Sequence, residues 1–87
     1  MSWAYFTAHI CDAISGTKYY ARDAQGYVRE FKSLNAAKKA ATQIYRKAET
    51  AGTAIAFAVV DYFDGDDSHW AAQKFGVGGE WINAVLD

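Results

Sequence analysis

Proline is absent from the 87 residues, and cysteine occurs once, at Cys11. A lone thiol closes no internal disulfide, so the expected setting is a reducing compartment. No hydrophobic run approaches the ~20 residues of a membrane-spanning helix. The opening Met1-Ser2-Trp3-Ala4-Tyr5-Phe6 lacks the basic leader of a secretory signal. Repeats, linkers and low-complexity stretches are missing too. Those absences leave one small α+β domain over residues 1–87, which at this length buries only ~60–65% of its extended surface.

What is abundant is aromatic: three Trp, six Tyr and five Phe, a large apolar load for a short chain. Net charge is only −1, but it is unevenly placed. Residues 1–52 hold every basic residue except Lys74, whereas most of the acids, Asp61, Asp64, Asp66, Asp67, Glu80 and Asp87, lie in 53–87. Such a bipolar chain steers partners and says little about fold.

The clearest element is the stretch from Ser33 to Gly52. Leu34, Ala37, Ala41, Ile44, Ala48 and Ala51 recur at steps of three and four, the stripe of an amphipathic helix. Ser33 suits the N-cap, and Gly52 suits the left-handed residue beyond the C-terminus. The rod would be roughly 27 Å long, enough to cross a small sheet.

Around it, alternation predicts strands. Trp3–Cys11 puts Ala4, Phe6, Ala8 and Ile10 on a core face, with Trp3, Tyr5, Thr7, His9 and Cys11 opposite. After a turn at Asp12–Gly16, Thr17–Asp23 and Tyr27–Lys32 read as a hairpin with a type I turn and glycine bulge at Asp23-Ala24-Gln25-Gly26. That register pairs Tyr19 with Phe31 and Ala21 with Arg29. Thr53–Phe63 is apolar at both parities, so an interior strand covered on both faces is expected. Asp66 or Asp67 is expected to cap a short helix running to Phe75. The tail from Glu80 is a helical turn or an edge strand. Trp70, Phe75, Trp81, Ile82, Val85 and Leu86 are expected to cover the sheet face opposite the long helix; left bare, that face would be an interface, and both monomer and homodimer stay open. The predicted architecture is thus an antiparallel sheet of β-β-β-α-β order, one long helix across one face, and short C-terminal helical segments.

Tests for chemistry return little. The EF-hand pattern fails, because counting back from Gly65 places Val60 and Tyr62 at ligand positions and Ala71 at the bidentate glutamate. His9, Cys11 and His69 fall short of a four-ligand zinc site, and His9-x-Cys11 is no zinc spacing. Ribonuclease H-type chemistry needs converging carboxylates, and the first strand supplies none. Gly76-Val77-Gly78-Gly79 follows no strand and lacks the Lys-Ser/Thr of a phosphate loop. No catalytic set, metal or cofactor is expected.

What remains is a charged surface. Lys38, Lys39, Arg46 and Lys47 share the outer helix face, where Glu49 is the only acid of the helix. With Arg22 of the hairpin and the acidic Asp64, Asp66 and Asp67, they form the candidate partner-binding set. An acidic protein patch fits this bipolar surface. A phosphate backbone is the alternative, although a sequence pI near 6.0 disfavours general nucleic-acid affinity.

The segment from Thr17 to Gly52, YYARDAQGYVREF followed by SLNAAKKAATQIYRKA, resembles the strand–strand–helix unit of small phage and prophage proteins, including some anti-CRISPR proteins of this size. The resemblance implies a non-enzymatic inhibitor, cytoplasmic in a bacterial host, that binds a defence nuclease or its RNA-guided complex. It carries over no site residues, because such families share architecture without a common site.

Overall fold

The computed structural model describes residues 4–76 and 78–84. Its elements run β1 (Tyr5–Asp12), β2 (Lys18–Tyr20), α1 (Leu34–Thr50), β3 (Ile55–Phe63), β4 (Ser68–Lys74) and β5 (Ile82–Asn83). The strands form one antiparallel sheet in the order β2-β1-β3-β4-β5, with α1 packed across one face. The α+β class with a single long helix on an antiparallel sheet is therefore present.

The helix forms where local sequence dictates it. Ser33, in extended backbone, accepts a hydrogen bond on its hydroxyl from the Ala36 N–H at 3.1 Å. At the far end Thr53 N–H donates to Ala48 O and Gly52 N–H to Glu49 O, both at 3.0 Å. This pair of bonds is a Schellman motif, and Gly52 supplies its φ of +88°. The buried stripe is Ala37, Ala40, Ala41 and Tyr45, flanked by half-buried Leu34, Ile44 and Ala48. Ala40 and Tyr45 join the predicted set, while Ala51 lies exposed. Tyr45 is buried because its hydroxyl reaches the Ile55 carbonyl at 3.3 Å, giving its polar end a partner.

Alanine meets alanine at the core. Ala37 and Ala41 face Ala8, Ala58 and Ala72, and all five are fully buried. Small side chains on both layers let the helix lie close to the sheet, with Ile10, Val60 and Phe31 filling the space beside them.

β1 and β3 form the longest ladder, from Tyr5↔Phe63 to Asp12↔Ile55. β1 begins later than its alternation predicts, since Ala4 is exposed. The Asp12–Gly16 turn forms as expected: Asp12 accepts backbone N–H bonds from Ile14 and Ser15 at 2.8 and 3.0 Å. The hairpin register is half right. Asp23 N–H donates to Tyr27 O, Arg29 N–H donates to Ala21 O, and Arg22 bridges Val28. The pairing ends there. Tyr19 pairs with Ile10, and Phe31 pairs with Phe6, because the edge of β1 offers both arms better-buried partners than each other. Residues 22–30 are thus a loop-out from an edge that Phe31 resumes.

Two expectations are overturned. Ser68–Lys74 is a strand, not the short helix predicted through Phe75, and it pairs with β3 along its length. A register shift between Val60 and Asp61 leaves Ala71 as an extra residue on β4, so Ala71 and Ala72 are both buried. The short C-terminal helical segments do not form among the described residues; of the two alternatives for the tail, the edge strand is present at Ile82–Asn83. As a result β3 is interior within the sheet but, among the described residues, covered by a helix on one face only.

The expected cover is likewise absent among the described residues. Trp70 and Ile82 are strand residues and Phe75 follows β4 directly; they remain 41%, 54% and 57% exposed. Trp81 packs on the helix side instead. Trp3, Val85 and Leu86 lie outside the described residues.

Candidate functional site

The outer surface of α1 carries the first feature. Asn35, Lys38, Lys39, Thr42 and Gln43 line a shallow cleft of about 460 Å³, closed on one side by Trp81. The Lys38 ammonium lies 5.7 Å from the Trp81 ring centroid, and that of Lys74 lies 5.6 Å from it. Lys74 is only 8% exposed. It projects from the end of β4 on the helix side, opposite Ala58, so its stem covers core while its charge rests on the indole. Among the described residues the ion pairs join His9 to Asp61 and His69 to Asp64, so neither lysine has a carboxylate partner.

A second depression of similar volume continues along the helix, lined by Gln43, Arg46, Lys47, Thr50 and Ala51. Lys38, Lys39, Arg46 and Lys47 are therefore brought onto one strip, linked through Gln43. Arg22 is not part of it. Its guanidinium donates to the Gly26 carbonyl at 2.8 Å and braces the hairpin tip.

The acidic loop is a built turn. The Asp64 carboxylate accepts the N–H groups of Asp66 and Asp67 at 2.9 and 2.8 Å and meets His69 Nε2 at 2.7 Å. These bonds, the backbone donors first, hold the Asp64 carboxyl down at about 2. Asp66 and Asp67 stay exposed and cap no helix.

The open sheet face holds the other titratable pair. His9 is 3% exposed, its ring 4.8 Å from that of Tyr20. Its Nδ1 has no hydrogen-bond partner and stands 3.5 Å from Asp61 Oδ2. Burial pushes the imidazole below its usual range, outweighing the attraction of Asp61. The Cys11 thiol approaches the Asp12 and Gly16 carbonyls at 3.9 and 3.6 Å. No group of three or more potential metal ligands converges among the described residues.

Sequence reasoning missed Trp81 as a wall of the helix cleft and Lys74 as a second cation on its ring. The signal was thin: Trp81 belonged to an undecided tail, and Lys74 was the one base of an acidic half. None of the described helices is long and apolar enough to cross a membrane. Compared with protein-family models, curated proteins and solved structures, this chain matches none of them.

Proposed function

We propose that this chain is a small non-enzymatic protein-binding module that recognises an acidic surface of its partner through the outer face of α1. One observation carries the reading: the cleft closed by Trp81 is lined by Lys38 and Lys39, the ammonium of Lys74 also rests on that indole, and no ion pair among the described residues neutralises these lysines. Tryptophan at the wall of the cleft and Arg46 along the strip are residue types that dominate binding energy at protein interfaces. Unpaired cations beside them favour a partner of opposite charge and speed its encounter. Within this class the chain is read as a phage or mobile-element inhibitor of a host defence complex, of the anti-CRISPR kind. Its size, its bipolar charge and the hairpin–helix pattern support that narrower reading.

Nucleic acid is the second reading, favoured by the run of Lys39, Arg46 and Lys47 along one exposed helix face. Contact with about four phosphates would give a log–log salt slope of about −3 to −4. The acidic half of the chain opposes a long polyanion.

The test is capture from bacterial lysate with tagged wild type and a Lys39→Glu, Arg46→Glu variant, each with and without nuclease. The expected result is a stoichiometric protein that survives nuclease and is lost with the variant. Recovery that vanishes with nuclease moves the strip to nucleic acid. Undiminished capture by the variant removes the helix face from the interface.

A further inference from the structure

The sheet face turned away from α1 carries Tyr5, Phe57, Phe63, Trp70, Phe75 and Ile82, and no described element covers it. Two ring pairs lie on it: Tyr5 and Phe63, 5.0 Å apart, and Phe57 and Phe75, 5.8 Å apart. Trp70, Phe75 and Ile82 alone leave 41%, 57% and 54% of their surface in solvent. At ~150–250 Å² per side chain these three leave roughly 230–380 Å² bare, and a contiguous apolar patch of that size on a monomer is often functional.

We infer that this face is the interface of a homodimer, sheet against sheet about a twofold axis. Area is the first argument. Three long strands of 8, 9 and 7 residues flanked by two short ones make a face roughly 25 Å by 20 Å at ~3.3 Å per residue and ~4.8 Å per strand. Two copies then remove about 1,000 Å² of flat area, more with side-chain relief, which reaches the size at which specific interfaces begin.

Charge is the second argument. A twofold interface sets each patch against itself, so a patch of one sign would repel its copy. The strand residues on this face carry one acid, Asp61, and one base, Lys18, while His9 is buried beside them. The face is self-compatible, and its aromatic centre matches the composition of interface cores. Packing of this kind leaves both α1 helices pointing outward, so the dimer presents two copies of the Trp81 cleft. The sheet face and the helix strip are separate surfaces, and either assignment stands without the other.

Sedimentation of the full chain over a wide concentration range tests this, beside Phe75→Glu and, separately, Ile82→Glu. Both side chains are more than half exposed, so the fold does not depend on them; circular dichroism checks that. A wild-type dimer that each variant converts to monomer is the expected result, with Lys39→Glu, Arg46→Glu remaining dimeric. Any of three results overturns the inference: wild type that is monomeric throughout, a dimer indifferent to both variants, or a monomer whose Trp70 is shielded only on adding a foreign protein.

Discussion

His9 Nδ1 lies 3.5 Å from Asp61 Oδ2 across the β1–β3 ladder, in a ring that is almost wholly buried and otherwise unbonded at that nitrogen. The separation exceeds a good hydrogen bond, so the carboxylate attracts a proton without offsetting the loss of solvent. The imidazole is neutral at neutral pH for that reason.

Its pKa is lowered in the fold, so the unfolded chain binds the proton more tightly. The contribution of neutral His9 is therefore fully present above the unfolded value near 6.5 and is lost as pH falls below it toward the folded value. Urea titrations at pH 7.5 and pH 5.5 should show a lower midpoint at the acid value. His9→Phe should remove most of that difference. An unchanged difference in the variant would assign the slope to other groups. Asp64 acts in a separate window: its support of the β3–β4 turn persists above 3.8 and is lost as pH falls toward about 2.

Ala41 is fully buried where the helix rests on Ala8 and Ala58. Ala41→Leu introduces three heavy atoms into a gap set by alanine on both sides. Thermal and urea denaturation should show a loss of about 2–3 kcal/mol through overpacking. The exposed Gln43→Leu on the same helix serves as control and should stay within about 0.5 kcal/mol.

Lys74 separates structure from recognition. Lys74→Met keeps the length and apolar stem of a buried side chain while deleting its charge. Stability should change by less than about 1 kcal/mol, whereas affinity for the captured partner should fall several-fold. Trp81→Ala should lower both, with a stability loss of about 2 kcal/mol for a half-buried indole that packs on the core. If Lys74→Met retains full affinity, the Lys74 charge takes no part in recognition.

Local chemistry determined much of this molecule from sequence alone. Ser33, the three-four spacing of apolar residues and Gly52 specify α1 with its own bonds, so no distant partner was needed to place it. The Asp23–Gly26 turn was legible for the same reason: Asp23 O accepts the Gly26 N–H, and Gly26 adopts a φ of +91°. The charges of the helix strip could be counted without a structure. What only the tertiary structure decided depends on pairing between distant segments. Ser68–Lys74 has weak alternation because the extra Ala71 turns two consecutive alanines inward, and an open edge of β3 drew it into the sheet. Phe31 left Tyr19 for Phe6 when β1 offered it an edge. Trp81 came to rest between two lysines 36 positions apart in sequence (38 and 74), and Trp70 came to rest in the open. Helices carry their hydrogen bonds within one segment and can be read there. Sheet edges, bulges and bare faces are settled by which strands compete for the same neighbour, and that competition exists only in the folded chain.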